Sequence, residues 1–139
     1  MNTTVSLDDL DAAKASDTPH EFEFINQAGE ASGIFLSVLG SQSETVTREV
    51  ARLTNERRRA QAAREANRRI GVGAKPVEFD SFESDVEFGQ RLAAVRLVGW
   101  SGITEPWTPE NALRLCRSNR EVAAQVTQQS DMMANFTGI

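Results

Sequence analysis

The residues able to do covalent or metal chemistry are few and scattered. His20 is the only histidine and sits in an acidic segment, with no cysteine or second histidine beside it to complete a metal set. Cys116 is the only cysteine; it cannot form an internal disulfide, and its place on an apolar helical pattern reads as a small buried hydrophobe in a reducing compartment. No GxSxG, HExxH, CxxC or P-loop pattern occurs, and Gly71-Val72-Gly73 lacks the third glycine and the strand-to-helix setting of a dinucleotide site, so it reads as a linker. Glu78, Asp80, Glu83, Asp85 and Glu87 are dense enough to suggest a calcium loop, but the ligand order and central glycine of an EF-hand are missing. Carboxylate pairs for acid-base work need a cleft that separates their pKa values, and here the acids read as solvated surface. The chain is therefore expected to be no enzyme and to carry no cofactor or metal.

Two features point to binding instead. Arg57-Arg58-Arg59 with Arg64, Arg68 and Arg69 leaves three readings open: a solvated helix face, a docking surface for an acidic protein segment, or a nucleic-acid contact. No aromatic residue interleaves with these arginines, and a formal charge of -5 argues against a general nucleic-acid binder. The charge is blocked: residues 1–47 hold eight acids against Lys14, 48–69 hold eight arginines against three glutamates, and 70–90 hold five acids against Lys75. Opposite blocks of this kind steer contacts within a chain or between chains, and a homo-oligomer is expected. Trp100 and Trp107 flank the loop 101–106, either stapling it to the core or offering an exposed anchor to a partner.

The elements that position these residues follow from periodicity. Residues 1–19 are polar and acidic with no packing period, which predicts a flexible tail. Strict alternation from Glu21 puts Phe22 and Phe24 on one side and Glu21, Glu23 and Ile25 on the other. Turn residues 26–30 and the apolar run Gly33–Leu39 complete a hairpin. An isolated hairpin is marginal in water, so its apolar face must pack on helices or on another subunit. Ser41-Gln42-Ser43-Glu44 fits a capping box opening a helix that runs without Gly or Pro to Gly71. Its apolar stripe, Val46, Val50 and Leu53, thins to Ala60 and Ala63, so the first half packs and the second projects. A linker at 71–83 leads to a helix capped at Ser84 or Asp85 and running through Gly99, with Phe88, Leu92, Val95 and Val98 along one face. Thr108-Pro109 starts a short helix, and Ser118-Asn119-Arg120-Glu121 a last one. The expected fold is mainly α (α+β): a flexible tail 1–19, hairpin plus long Arg-rich helix at 20–70, linker 71–83, and a three-helix unit at 84–139. Nowhere do about 18 apolar residues run together, so no membrane span is expected.

Residues 90–136 resemble the tail assembly chaperones of long-tailed, siphovirus-like bacteriophages. The matching features are Leu92-Ala93-Ala94-Val95-Arg96-Leu97-Val98-Gly99-Trp100, then Gly102-Ile103, Thr108-Pro109-Glu110-Asn111-Ala112 with Leu113 and Leu115, and Ala134-Asn135-Phe136. The N-terminal half is similar too, an extended segment ending near Leu39-Gly40-Ser41-Gln42-Ser43 before a long Arg-rich helix. The resemblance implies a non-catalytic protein of the host cytoplasm that binds the tape-measure protein, keeps it soluble, and helps recruit tail-tube subunits. Such families often make a longer form by ribosomal frameshifting, and a chain ending at Ile139 would be the short form. The other readings are a structural virion protein, such as a head-tail connector or minor tail component, and a nucleic-acid regulator using the Arg-rich helix. On the chaperone reading the client lies on Phe22, Phe24, Ile34, Phe35 and the Trp100 to Trp107 loop, with Arg57 and Arg58 aiding assembly. Phe35→Asp or Trp107→Ala is then expected to lose the client and keep the fold.

Overall fold

The alternating segment becomes β1 (His20–Ile25), which pairs antiparallel with β2 (Ala31–Val38). The turn between them is held by Asn26: its side-chain oxygen accepts from the amides of Ala28 and Glu30, both at 3.0 Å, and its carbonyl accepts from Gly29, whose φ of 80° only glycine takes without strain. The computed structural model describes residues 4–69 and 81–138 and is α-rich with a small sheet, the expected fold class. The predicted linker at 71–83 lies outside the described residues except for its last three positions.

The helices are α1 (Ala12–Ser16), α2 (Glu44–Arg69), α3 (Phe82–Ala94), α4 (Pro109–Ser118) and α5 (Arg120–Asp131). A third strand, β3 (Leu97–Ser101), joins the sheet in the order β1-β2-β3. Here the structure corrects the sequence: the helix expected through Gly99 stops at Ala94, and Val95 and Arg96 turn the chain back. Val95, Val98 and Gly99 are weak helix residues. The edge of β2 also carries backbone groups that need partners, and Leu97–Ser101 supplies them, with Leu36 opposite Trp100 and Ser37 opposite Gly99.

Three helix starts differ by one to four residues from the expected caps. Ser43, not Ser41, caps α2, its hydroxyl accepting from Val46 N–H at 2.9 Å, while Glu44 pairs with Arg48. Ser81 caps α3 and Asn119 caps α5. In each case the cap is the residue whose backbone leaves the helix with extended geometry or whose hydroxyl reaches the third amide, which spacing alone does not select. Thr108 caps α4 with Pro109 in the first turn, as expected.

One apolar cluster joins the layers. Phe24, Leu36 and Val38 from the hairpin pack with Ala93 and Ala94 of α3, Leu97 of β3, Ala112 and Cys116 of α4, and Val122 and Val126 of α5. Each fully buried Leu or Val is worth about 1.5–3 kcal/mol, so the hairpin and the C-terminal helices stabilise one another rather than standing as separate layers. Where a featureless N-terminal tail was expected, Asp8–Leu10 forms a 3-10 turn and α1 follows, with Ser16 fully buried. The reason lies at the β2 to α2 junction. Gly40 N–H donates to Ser16 carbonyl at 2.9 Å, Ser41 N–H to Ser130 carbonyl at 2.9 Å, and Ser130 Oγ to Leu39 carbonyl at 2.8 Å. Leu39 N–H donates to Arg96 carbonyl at 2.9 Å. This knot sets the origin and direction of α2, of which Val46 and Leu53 are buried while most residues from Asn55 to Arg68 are exposed.

Candidate protein-binding site

The first half of α2, the α3 to β3 turn and the start of α4 enclose an open groove of about 530 Å³. Leu53, Ala94 and Leu97 form its floor, and Val95, Val98, Trp107 and Leu113 its sides. The rim carries both signs of charge, Arg52 and Arg91 with Glu49 and Glu110. Local sequence explains the shape: α2 turns from apolar to charged after Leu53, α3 ends early, and Pro109 fixes the entry to α4. Trp107 closes one side because its indole N–H donates to Leu97 carbonyl at 3.1 Å, pinning the ring against β3. A groove with apolar walls and a polar rim takes the apolar face of a helix or an extended peptide.

Of the residues singled out from the sequence, only Trp107 lines this groove. Phe24 is 7% exposed and belongs to the core, and Phe22 and Ile34 are half-buried on the same sheet face. Phe35 is 37% exposed on the opposite face, opposite Glu23 and Ser101 in the two neighbouring strands. The four hairpin residues thus do not make one surface, because the pleat sends Phe35 away from the other three. Trp100 is half-buried, and its indole N–H donates to Glu105 carbonyl at 2.9 Å, so both tryptophans staple the loop between β3 and α4. Arg57 pairs with Asp85 and lies over the Phe88 ring at 4.6 Å from its centroid, which ties α2 to α3. Arg91 with Glu56 at 3.5 Å adds to the same seam. Arg58 is exposed.

Sequence reading missed Leu53, Val95, Val98 and Leu113 as a surface. The signal in the sequence, the apolar spacing of Val95 and Val98, fits the face of a continuing helix as well as it fits a strand. Cys116 is fully buried, and desolvation pushes its thiol up to about 11, which keeps it protonated and poor as a nucleophile. Among the described residues no group of three His, Cys, Asp or Glu side chains could hold a metal ion, and no helix is long and apolar enough to cross a membrane. No protein-family model, curated protein or solved structure matches this chain.

Proposed function

We propose that this chain is a tail assembly chaperone of a long-tailed bacteriophage, holding the tape-measure protein in the host cytoplasm while the tail is built. The observation that carries the reading is that the residues of the resemblance line the apolar groove. Two of the segments that resemble such chaperones, 92–100 and 108–115, joined by the short loop that Trp100 and Trp107 staple, both line the groove, through Ala94, Val95, Leu97 and Val98 of the first and Pro109, Glu110 and Leu113 of the second. An open apolar trough with a rim of both charge signs suits a long helical client: it accepts apolar side chains at helical spacing, and the rim meets charged flanks without demanding one sequence. The work is non-catalytic, since shielding a client from water needs apolar area and not a reactive group. Tail-tube subunits would meet the complex through surfaces outside the groove.

The test is co-expression of the chain with the tape-measure protein of the same phage genome, followed by pull-down and size-exclusion chromatography with light scattering. Soluble co-elution is expected for the native chain and for Phe35→Asp, whose side chain is on the far face of the sheet. Val98→Asp and Leu113→Asp, both half-buried in the groove wall, are expected to release the client while circular dichroism stays native. Folded groove variants that hold the client as well as the native chain would remove the groove from the proposal. No client binding, together with stable incorporation into finished particles, would favour a structural virion protein such as a connector or minor tail component.

A further inference from the structure

The projecting half of α2 and the N-terminal segment are complementary in charge, and the segment is short compared with the length of the helix. At 100° per residue, Arg58, Arg59, Ala62 and Ala66 fall within about 100° of arc on the side of α2 away from Val46 and Leu53. All four are exposed. Glu65, at the border of this face, is engaged by Arg68 at 3.6 Å. The result is a pair of arginines followed along the helix by two alanines, whose small side chains let another backbone approach closely.

Residues 4–11, Thr-Val-Ser-Leu-Asp-Asp-Leu-Asp, have the opposite character, with three acids and no base. Leu7 is 88% exposed and Leu10 54% exposed, one 3-10 turn apart, with Asp8 and Asp9 between them. The turn thus presents two apolar side chains and two carboxylates to solvent side by side.

Chain lengths limit which part of its own helix the segment can meet. Ser16 is held to Gly40, four residues before α2 begins. From Glu44, Ala62 lies about 27 Å and Ala66 about 33 Å along the helix at 1.5 Å per residue. Leu10 and Leu7 lie within about 12 and 18 Å of Ser16 at the 2.0 Å rise of a 3-10 turn. By these lengths the segment ends short of Ala62 and Ala66 of its own chain, while Arg58 and Arg59, about 21 and 22 Å along the helix, lie nearer.

We propose that a second copy of the chain supplies the partner: the acidic Val5–Asp11 segment of one molecule docks on the Arg58, Arg59, Ala62 and Ala66 face of another. Leu7 and Leu10 cover the alanines, and Asp8 and Asp9 meet Arg58 and Arg59. The exchange is reciprocal when two copies are related by a two-fold axis, so each contact is made twice. This assembly is independent of the groove and of the client proposed for it.

Sedimentation velocity of the full chain at low and high salt tests the idea. The native chain is expected to self-associate, and more weakly at high salt because exposed charges are screened. Arg58→Glu with Arg59→Glu, and separately Asp8→Lys with Asp9→Lys, are each expected to weaken self-association by about tenfold or more, since attractions become repulsions. An equimolar mixture of the two charge-reversed chains regains association, because each then offers what the other lacks. Leu7→Ser, at a position with almost no buried surface in its own chain, weakens association with an unchanged circular dichroism spectrum. A native chain that stays monomeric at low salt, variants that associate like the native chain, or a mixture that stays monomeric would each overturn the proposal.

Discussion

Replacing Gly40 by alanine places a new methyl carbon 2.4 Å from Ser16 Oγ and 2.6 Å from Ser16 Cβ, with Phe136 Cδ2 at 3.1 Å. Non-bonded carbons rest at about 3.5–4.0 Å, so Ser16 must retreat by about 1 Å. Rotating its hydroxyl away relieves the first contact but not the second, since Cβ moves only with the backbone. That backbone is held, because Ser16 carbonyl accepts from Gly40 N–H at 2.9 Å. Overpacking of this kind costs about 1–3 kcal/mol. The loss is capped by the free energy with which α1 holds to the junction, as undocking α1 also ends the clash. Urea unfolding followed by circular dichroism reads the change: with a slope of about 2 kcal/mol per molar, Gly40→Ala is expected to lower the midpoint by about 0.5–1.5 M. Ser16→Gly removes the obstructing Cβ and costs about 0.5–1 kcal/mol alone through chain entropy. Combined with Gly40→Ala it should then recover about 1 kcal/mol or more relative to the sum of the single changes. A native midpoint for Gly40→Ala, or strictly additive losses in the pair, would show that the Leu39–Ser41 knot is not packed as described.

Further outcomes follow from the same packing. Leu36→Ala, at a fully buried position shared by all three strands, is expected to cost about 2–5 kcal/mol in the same unfolding assay. Arg57→Ala removes both the Asp85 pair and the stacking on Phe88. It should cost about 1 kcal/mol and raise hydrogen exchange in the first turns of α3 more than in α5. For Cys116 the folded thiol titrates near 11, raised from 9.0 by burial, so between these values the unfolded chain loses its proton while the folded chain keeps it. Stability from this group is therefore intact below pH 9 and falls as pH rises toward 11, by up to about 1.4 kcal/mol per unit. Cys116→Ala should flatten that slope in urea midpoints measured from pH 8 to 10.5, and the native thiol should react with a thiol reagent at neutral pH only at the rate of opening.

Much of the architecture was legible because local chemistry left little choice. The alternation at Glu21–Ile25 and the turn at Asn26–Gly29 produced the hairpin, and Thr108-Pro109 produced α4. The decline from Val46 and Leu53 to an Arg and Ala surface correctly foretold a helix that packs at one end only. The helix caps were less legible, as runs such as Ser41-Gln42-Ser43 and Ser81 to Ser84 contain several competent residues and only the backbone path selects one.

The groove was the least legible part. Its floor and sides draw on Leu53 of α2, Val95 of the α3 to β3 turn, Val98 of β3, Trp107 of the following loop and Leu113 of α4, whose proximity depends on β3. Hydrophobic periodicity marked Val95 and Val98 as apolar but could not tell a continuing helix from a strand, because the deciding term is the set of unpaired backbone groups along β2, a partner about 60 residues earlier in the chain. The same holds for Phe35, which belongs to the hairpin by sequence and to the outer sheet face by pleat, and for Ser16, whose burial follows from Gly40 leaving room for it. Composition, period and turn chemistry by themselves determined the kinds of elements and the uneven charge. Only tertiary structure decided which apolar residues became core, which became groove and which were left exposed, because those roles depend on long-range pairing and on the path of the backbone at one crowded junction.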